Sequence, residues 1–272
     1  MLRRCTLGSP LLKTKNRSSD TPHRRYLVIA CRVLRREIFF CAARVVPVVD
    51  VELLPQGLHT EPERLRKSLQ KVIDERAEGY DAVLLSYGLC SNGIQGLTCP
   101  HAPLVVPRAH DCITLLLGSR HRYREYFEAH PGTYWYSPGW IEESRQPSGK
   151  RCRETLAEYV EKYGEENAPY LMEIEQAWLS NYGRAAFVDW NFDCSEVYRR
   201  YTRQCAEELR WECDELVGDP GLLFRMLSGC WNEDEILVVP PGHTITSAFN
   251  EDIIAAVPLA PDHEHEDFRD IR

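Results

Sequence analysis

The segment Pro103-Leu104-Val105-Val106-Pro107-Arg108-Ala109-His110-Asp111-Cys112-Ile113 decides how we interpret the chain. Its apolar run over 104–106 predicts a buried strand, and the apolar pattern resumes at helical spacing over 113–117. Between them, His110 and Cys112 are two residues apart, so they would point to the same side of an extended chain. A thiolate and an imidazole on one side of a strand-to-helix turn are ligands that transition metals favour.

Cysteine also follows two other predicted strands. Cys31 closes the apolar run 26–30, and Cys90 follows the run 81–87. We expect the strands 26–31, 82–87 and 103–107 to be parallel neighbours in one sheet. Because ligands of open α/β sheets bind beyond the carboxyl ends of the strands, three thiols would then meet at one edge.

Strand and helix patterns alternate along the whole chain. The pattern predicts an α/β fold, a mostly parallel sheet with helices on both faces and a strand-end cysteine cluster. The N-terminal half also contains a predicted strand over 44–49 and an amphipathic helix over 62–77. In the second half the predicted strands are 185–190, 215–218 and 235–239, so the chain divides into two similar α/β halves.

The predicted organisation has four parts. They are a disordered basic leader (1–25), an N-terminal α/β half with the cysteine site (26–141), a C-terminal α/β half (142–257) and a disordered acidic tail (258–272). The leader lacks the apolar stretch of a secretory signal, and an organellar transit peptide is the alternative interpretation.

Composition restricts the classes of function. A formal charge of -8 over 272 residues argues against a nucleic-acid binder or a binder of anionic membranes. No apolar run is long enough to span a membrane. Without a secretory signal we expect the eleven cysteines to be in the reducing cytoplasm, where they are buried apolar side chains, metal ligands or nucleophiles.

The leading hypothesis is a soluble metal-binding protein. Cys31, Cys90 and Cys112 would hold either zinc or a [4Fe–4S] cluster, with His110 as the fourth zinc ligand or beside the open iron. The competing hypothesis is a metal-free binding or scaffold protein whose cysteines are buried and inert. A third is an enzyme with a nucleophilic thiolate, since Cys112 would lie near a helix N-terminus.

Four further residues are candidates for binding a cofactor or another small-molecule ligand. Gly88 and Gly93 would let backbone N–H groups approach a cluster or an anion, although both are also typical of turns. Arg108 would clamp a carboxylate or phosphate, with a surface ion pair as the alternative. Trp140 would end an aromatic wall over the pocket, beginning at residue 131, unless these aromatics only pack in the core.

These motifs resemble a domain-of-unknown-function family of bacteria and archaea. The resemblance is carried by Tyr87-Gly88-Leu89-Cys90-Ser91-Asn92-Gly93, Pro107-Arg108-Ala109-His110-Asp111-Cys112, Leu117-Gly118-Ser119, Gly132-Thr133-Tyr134-Trp135, Gly139-Trp140 and Val239-Pro240-Pro241-Gly242. It implies a soluble protein, an enzyme or accessory factor of one-carbon or methyl-transfer metabolism, with a corrinoid protein or methyltransferase as partner. The His110-x-Cys112 pair is also similar to the H-x-C element of zinc-dependent, corrinoid-linked methyltransferases.

Overall fold

A computed structural model describes residues 24–259, and the predicted leader and acidic tail lie almost wholly outside this range. Within it, no helix is long and apolar enough to cross a membrane. The β-strands of this range are β1 (Arg25–Cys31), β2 (Val48–Leu54), β3 (Ala82–Ser86), β4 (Leu104–Pro107), β5 (Thr133–Tyr136), β6 (Arg184–Asp189), β7 (Glu212–Val217), β8 (Ile236–Val239), β9 (His243–Ser247) and β10 (Ile254–Pro258).

The first sheet has the strand order β2-β1-β3-β4-β8. β1 pairs in parallel with β2 and β3, and β3 pairs in parallel with β4, so the expected parallel neighbours are confirmed. Every residue of β3 and β4 is buried, as is all of β1 except Arg25, because apolar layers cover both faces. Edge strand β2 is only partly buried. The predicted α/β fold is therefore confirmed.

Helices connect these strands. They are α1 (Arg35–Ala42), α2 (Pro62–Arg76), α3 (Cys112–Leu117), α4 (Arg120–Ala129), α5 (Pro138–Glu143), α6 (Gly149–Tyr163), α7 (Ala168–Gln176), α8 (Ser195–Leu209) and α9 (Gly221–Ser228). From β1 the chain runs through α1 outward to β2, and then through α2 back past β1 to β3. Right-handed crossovers in opposite directions place α1 and α2 on opposite faces of the sheet.

A second, parallel sheet has the order β5-β6-β7. Its strand β5 comes from the aromatic segment for which no strand was predicted, and β8 leaves the second half to pair antiparallel with β4. Strand pairing therefore crosses the predicted boundary between residues 141 and 142. The hairpin of β9 and β10 lies beyond the three strands predicted for the second half.

The second strand begins later than predicted. It covers Val48–Leu54, whereas 44–49 was expected from the apolar run. Pro47 lacks an N–H to donate to the ladder, and the strand starts at the residue after it. The apolar run itself was therefore a poor guide to the strand boundaries.

Two acidic side chains of the described residues are buried, those of Glu37 and Asp189. Glu37 of α1 is 2% exposed, and its Oε2 has no hydrogen-bond partner. Burial raises the pKa of Glu37 from its usual 4.5 to about 7, and the nearby carboxylate of Asp189 adds to the increase. Glu37 therefore holds its proton in the folded protein at pH values where the unfolded chain has lost it.

We expect the free energy of unfolding to depend on this proton. Because the folded pKa of Glu37 is raised, the stability it contributes is present at low pH and is lost as the pH rises from 4.5 to about 7. The free energy of unfolding of Glu37→Gln, relative to that of the wild type, should therefore be higher at pH 8 than at pH 5 by more than about 1 kcal/mol. Urea denaturation of both proteins at the two pH values measures this difference. If the two proteins differed by the same amount at both pH values, the raised pKa of Glu37 would be contradicted.

Candidate functional site

The three predicted strand ends meet at one edge of the first sheet. β1 ends at Cys31, the chain after β3 reaches Cys90, and α3 begins at Cys112 shortly after β4. The crossover from β1 leads to β2 on one side, and the crossover from β2 leads back past β1 to β3, so the strand order reverses between β1 and β3. In open α/β sheets ligands bind in the crevice that such a reversal leaves beyond the strand ends. Cys31 and Cys90 border this crevice.

The loops after β3 and β4 continue side by side beyond the sheet. Leu89 N–H donates to the carbonyl of Ala109 at 2.8 Å, and Cys90 N–H donates to the carbonyl of His110 at 3.0 Å. A Cβ at Gly88 would lie 2.5 Å from the backbone nitrogen of Asp111. Only glycine therefore permits this close approach of the two backbones.

Cys90 begins an unusual turn. Cys90, Ser91 and Asn92 have positive φ angles of 46°, 55° and 70°. Left-handed backbone costs a non-glycine residue about 1–2 kcal/mol, so three in succession require support from the surroundings. Gly93 closes the turn by donating its N–H to the carbonyl of Cys90 at 3.1 Å, and a Cβ there would lie 2.6 Å from Leu65. Gly88 and Gly93 thus shape the loop, while their predicted contact with a ligand stays a prediction.

The thiols of the three cysteines are buried close together. Cys31 is 0% exposed, Cys90 8% and Cys112 2%. Burial raises the pKa of all three thiols, that of Cys31 to about 12, and the charge of each neighbouring thiolate raises the pKa of Cys112 further. Without a bound cation the three thiols therefore keep their protons at neutral pH. Among residues 24–259, no group of three or more His, Cys, Asp or Glu side chains has the arrangement of a metal site.

A histidine that the sequence analysis missed contacts this group. His59 lies in a 3-10 turn, Gln56–Thr60, after β2, and its Nε2 is 3.2 Å from the Sγ of Cys31. Its ring stacks on Tyr87, with the ring centroids 5.8 Å apart. Burial lowers the pKa of His59, so the neutral imidazole is favoured. The predicted strand 44–49 ended well before His59, and only with the observed bounds of β2, Val48–Leu54, does the strand-end rule point to this turn.

Two buried donors near the thiols lack a hydrogen-bond partner. The hydroxyl of Tyr87 is one of them, and all three cysteines are close enough for their charges to raise its pKa. The other is the indole N–H of Trp140, which lowers the pKa of Cys112 although it makes no regular hydrogen bond. Unpartnered buried donors are rare in folded proteins, and both would interact favourably with thiolates.

Trp140 is held in place by the helix that carries it. The neighbouring residue Gly139 packs so tightly on the turn Arg32–Leu34 that a Cβ would overlap the carbonyl oxygen of Val33. Arg36 of α1 pairs with Glu142 of α5 at 2.5 Å. The predicted aromatic wall thus includes Trp140 at the thiol group, although its contact with a ligand stays a prediction.

His110 and Arg108 lie elsewhere. His110 is exposed and lines a separate cavity of about 530 Å³ together with Arg120 and Arg124 of α4. Cys112 is instead buried, because Asp111 caps α3 and turns the chain into a helix after His110. Arg108 donates to the backbone carbonyls of Glu233, Asp252 and Ile254, and so fixes the C-terminal strands against the sheet. The roles of His110 as a metal ligand and Arg108 as an anion clamp stay predictions.

Comparison with known proteins identifies the family. The family model described as "Protein of unknown function (DUF1638)" matches residues 53–227. The chain belongs to this family. The matched region of this DUF1638 protein includes His59, Cys90, Cys112 and Trp140, whereas Cys31 precedes it. No curated protein and no solved structure matches the chain.

Proposed function

We propose that this protein binds zinc or an iron–sulfur cluster through Cys31, Cys90 and Cys112. The observation that carries the proposal is the convergence of three buried thiols from three neighbouring strand ends. Each thiol is close enough to the others for their charges to interact. Soft thiolates are the ligands that zinc and iron–sulfur clusters prefer.

The burial of the thiols supports a cationic partner. Three thiolates without a cation would be strongly destabilised in an apolar environment, and their raised pKa values reflect this penalty. A metal replaces the protons, because thiolates rather than thiols coordinate it. The unpartnered donors of Tyr87 and Trp140 would then interact with sulfur atoms that carry negative charge.

His59 is the best candidate for the fourth position. Two ligand atoms on one tetrahedral zinc ion, a sulfur at about 2.3 Å and a nitrogen at about 2.0 Å, lie roughly 3.5 Å apart. The 3.2 Å between His59 Nε2 and Cys31 Sγ is close to this spacing. The lowered pKa of His59 favours the neutral form that coordinates metals. With a cluster, His59 would face the iron that has no cysteine ligand.

We extend the proposal to a role in one-carbon or methyl-transfer metabolism, as an enzyme or an accessory factor. A cluster iron without a cysteine ligand, or a zinc ion held by the three thiolates alone, would have an open position that can activate a bound thiol or water. The resemblance of the motifs around Cys90 and Cys112 to a family associated with one-carbon metabolism supports this class and suggests a corrinoid protein or methyltransferase as partner.

The test is metal analysis of protein purified without oxygen. We expect about one equivalent of zinc in a colourless protein, or iron and inorganic sulfide in equal amounts in a brown one. Thiol titration of the folded and the unfolded protein completes the experiment, because bound cysteines react only after the metal is removed. The proposal would be overturned if the purified protein contained neither zinc nor an iron–sulfur cluster and bound neither on reconstitution. That result would support the metal-free scaffold.

One observation favours a second candidate function, a cysteine nucleophile activated by a histidine. The 3.2 Å contact of Cys31 with His59 is within hydrogen-bonding reach, as in enzymes with this pair. Alkylation of metal-free protein by iodoacetamide distinguishes the two functions. A nucleophilic Cys31 reacts fast near neutral pH and depends on His59, whereas a metal ligand with a raised pKa reacts slowly.

A further inference from the structure

A cleft of about 190 Å³ opens beside the thiol group. It lies between the start of α3, which carries Cys112, and edge strand β5 of the second sheet. The lining residues are Asp111, Cys112, Ile113, Thr133, Tyr134, Trp135, Trp140 and Tyr182. Trp140 belongs both to the cleft and to the surroundings of Cys112, so a molecule in the cleft would lie next to the proposed centre.

Four of the eight lining residues are aromatic. Tyr134, Trp135, Trp140 and Tyr182 are all partly buried, and the rings of Tyr134 and Tyr182 meet edge to face with centroids 5.4 Å apart. Trp135 is fixed from behind by Tyr126, with centroids 5.0 Å apart. Rings held by such contacts form a rigid wall whose negative π-faces attract cations.

The charge of the cleft also favours a cation. Of the described residues that line it, Asp111 is the one carboxylate, and none is lysine, arginine or histidine. Asp111 accepts the N–H of Ile113 at 2.9 Å and the hydroxyl of Tyr123 at 3.0 Å, so two hydrogen bonds hold its carboxyl group in place at the wall of the cleft. The larger cavity nearby contrasts with this cleft, since His110, Arg120 and Arg124 all line it.

We propose that the aromatic cleft binds a small organic cation of the alkylammonium class. Aromatic walls beside a carboxylate are the arrangement by which proteins recognise such ions. The volume is below the roughly 300–1,000 Å³ typical of sites for drug-sized ligands, so the ligand is a small one. The inference rests on the proposed function, because the cation would be a substrate that binds beside the metal centre.

The experiment compares choline with its uncharged analogue 3,3-dimethyl-1-butanol, which has the same shape. Isothermal titration of the full chain should show choline binding at least tenfold more tightly than the alcohol. Tyr182→Leu should weaken choline binding by at least fivefold, whereas Tyr182→Phe, which keeps the ring, should restore most of it. Asn250→Ala, at an exposed residue of the larger cavity, is the control that should leave binding unchanged.

Three outcomes would overturn the cation site. They are equal affinity for the two probes, no binding of choline to protein with or without metal, and equal effects of the leucine and phenylalanine variants. Metal analysis of the same samples separates this inference from the proposed function. If protein with its full metal content does not bind choline, only the cation site is refuted. If protein purified without metal binds choline, only the metal centre is refuted.

Discussion

The variants Cys90→Ser and Cys112→Ser should each lose most of the bound metal. Serine is a poor ligand for zinc and for iron–sulfur clusters, because its hard hydroxyl stays protonated near neutral pH. Each substitution also leaves two buried cysteines that cannot hold the centre alone. We expect at least a tenfold decrease in metal per chain, measured by elemental analysis after anaerobic purification and one treatment with a mild chelator.

Cys205→Ser is the matched control. Cys205 lies on α8 in the second hydrophobic cluster and is 2% exposed, so it is as buried as Cys112. Its replacement should decrease the stability by a similar amount without changing the metal content. If all three variants kept the same metal per chain, neither Cys90 nor Cys112 would be a ligand. If the control also lost its metal, general unfolding would explain the losses.

The central strands of the first sheet could be predicted from the sequence because they are buried on both faces. Strands β1, β3 and β4 are covered on both faces, so each is a continuous apolar run that is easily recognised. Cys31 is the last residue of β1, and Cys90 and Cys112 follow the ends of β3 and β4 by a few residues. Once parallel pairing is assumed, the geometry of the sheet brings the strand ends together without further information.

Strands that depend on tertiary contacts were harder to predict. β5 is an aromatic four-residue segment, and it is a strand because it pairs with β6, more than forty residues later in the chain. β8 likewise left its predicted half to pair with β4. Local patterns contain no information about which distant edge a short strand joins.

The structure places His59 rather than His110 beside the thiols, for a physical reason that the sequence partly contains. His110 and Cys112 share a side only if the chain is extended through Asp111 to Cys112. Asp111 instead caps α3 by accepting the N–H of Ile113, so the helix starts at Cys112 and the two side chains diverge. Aspartate is among the residues preferred at a helix N-cap. His59, by contrast, reaches Cys31 only through the parallel pairing of β1 and β2.

The variant Gly139→Ala should destabilise the protein strongly and expose the thiol group. A Cβ at this position would overlap the carbonyl oxygen of Val33 and would lie 2.9 Å from the Val33 Cα. These are backbone atoms of the turn directly after Cys31, so they cannot move aside as a flexible side chain could. Helix α5 must therefore shift away from this turn and take Trp140 with it.

Overpacking of this kind typically costs about 1–3 kcal/mol, and we expect the upper end of this range because both partners are backbone. Urea denaturation of the metal-free protein measures the loss without any contribution from a bound centre. Gly57→Ala is the control, since Gly57 lies in the same turn as His59 but a Cβ there would meet nothing within 4 Å. The buried thiols of the Gly139 variant should also react faster with Ellman's reagent than those of the control. Equal stability and equal thiol reactivity in the two variants would show that α5 does not close the site.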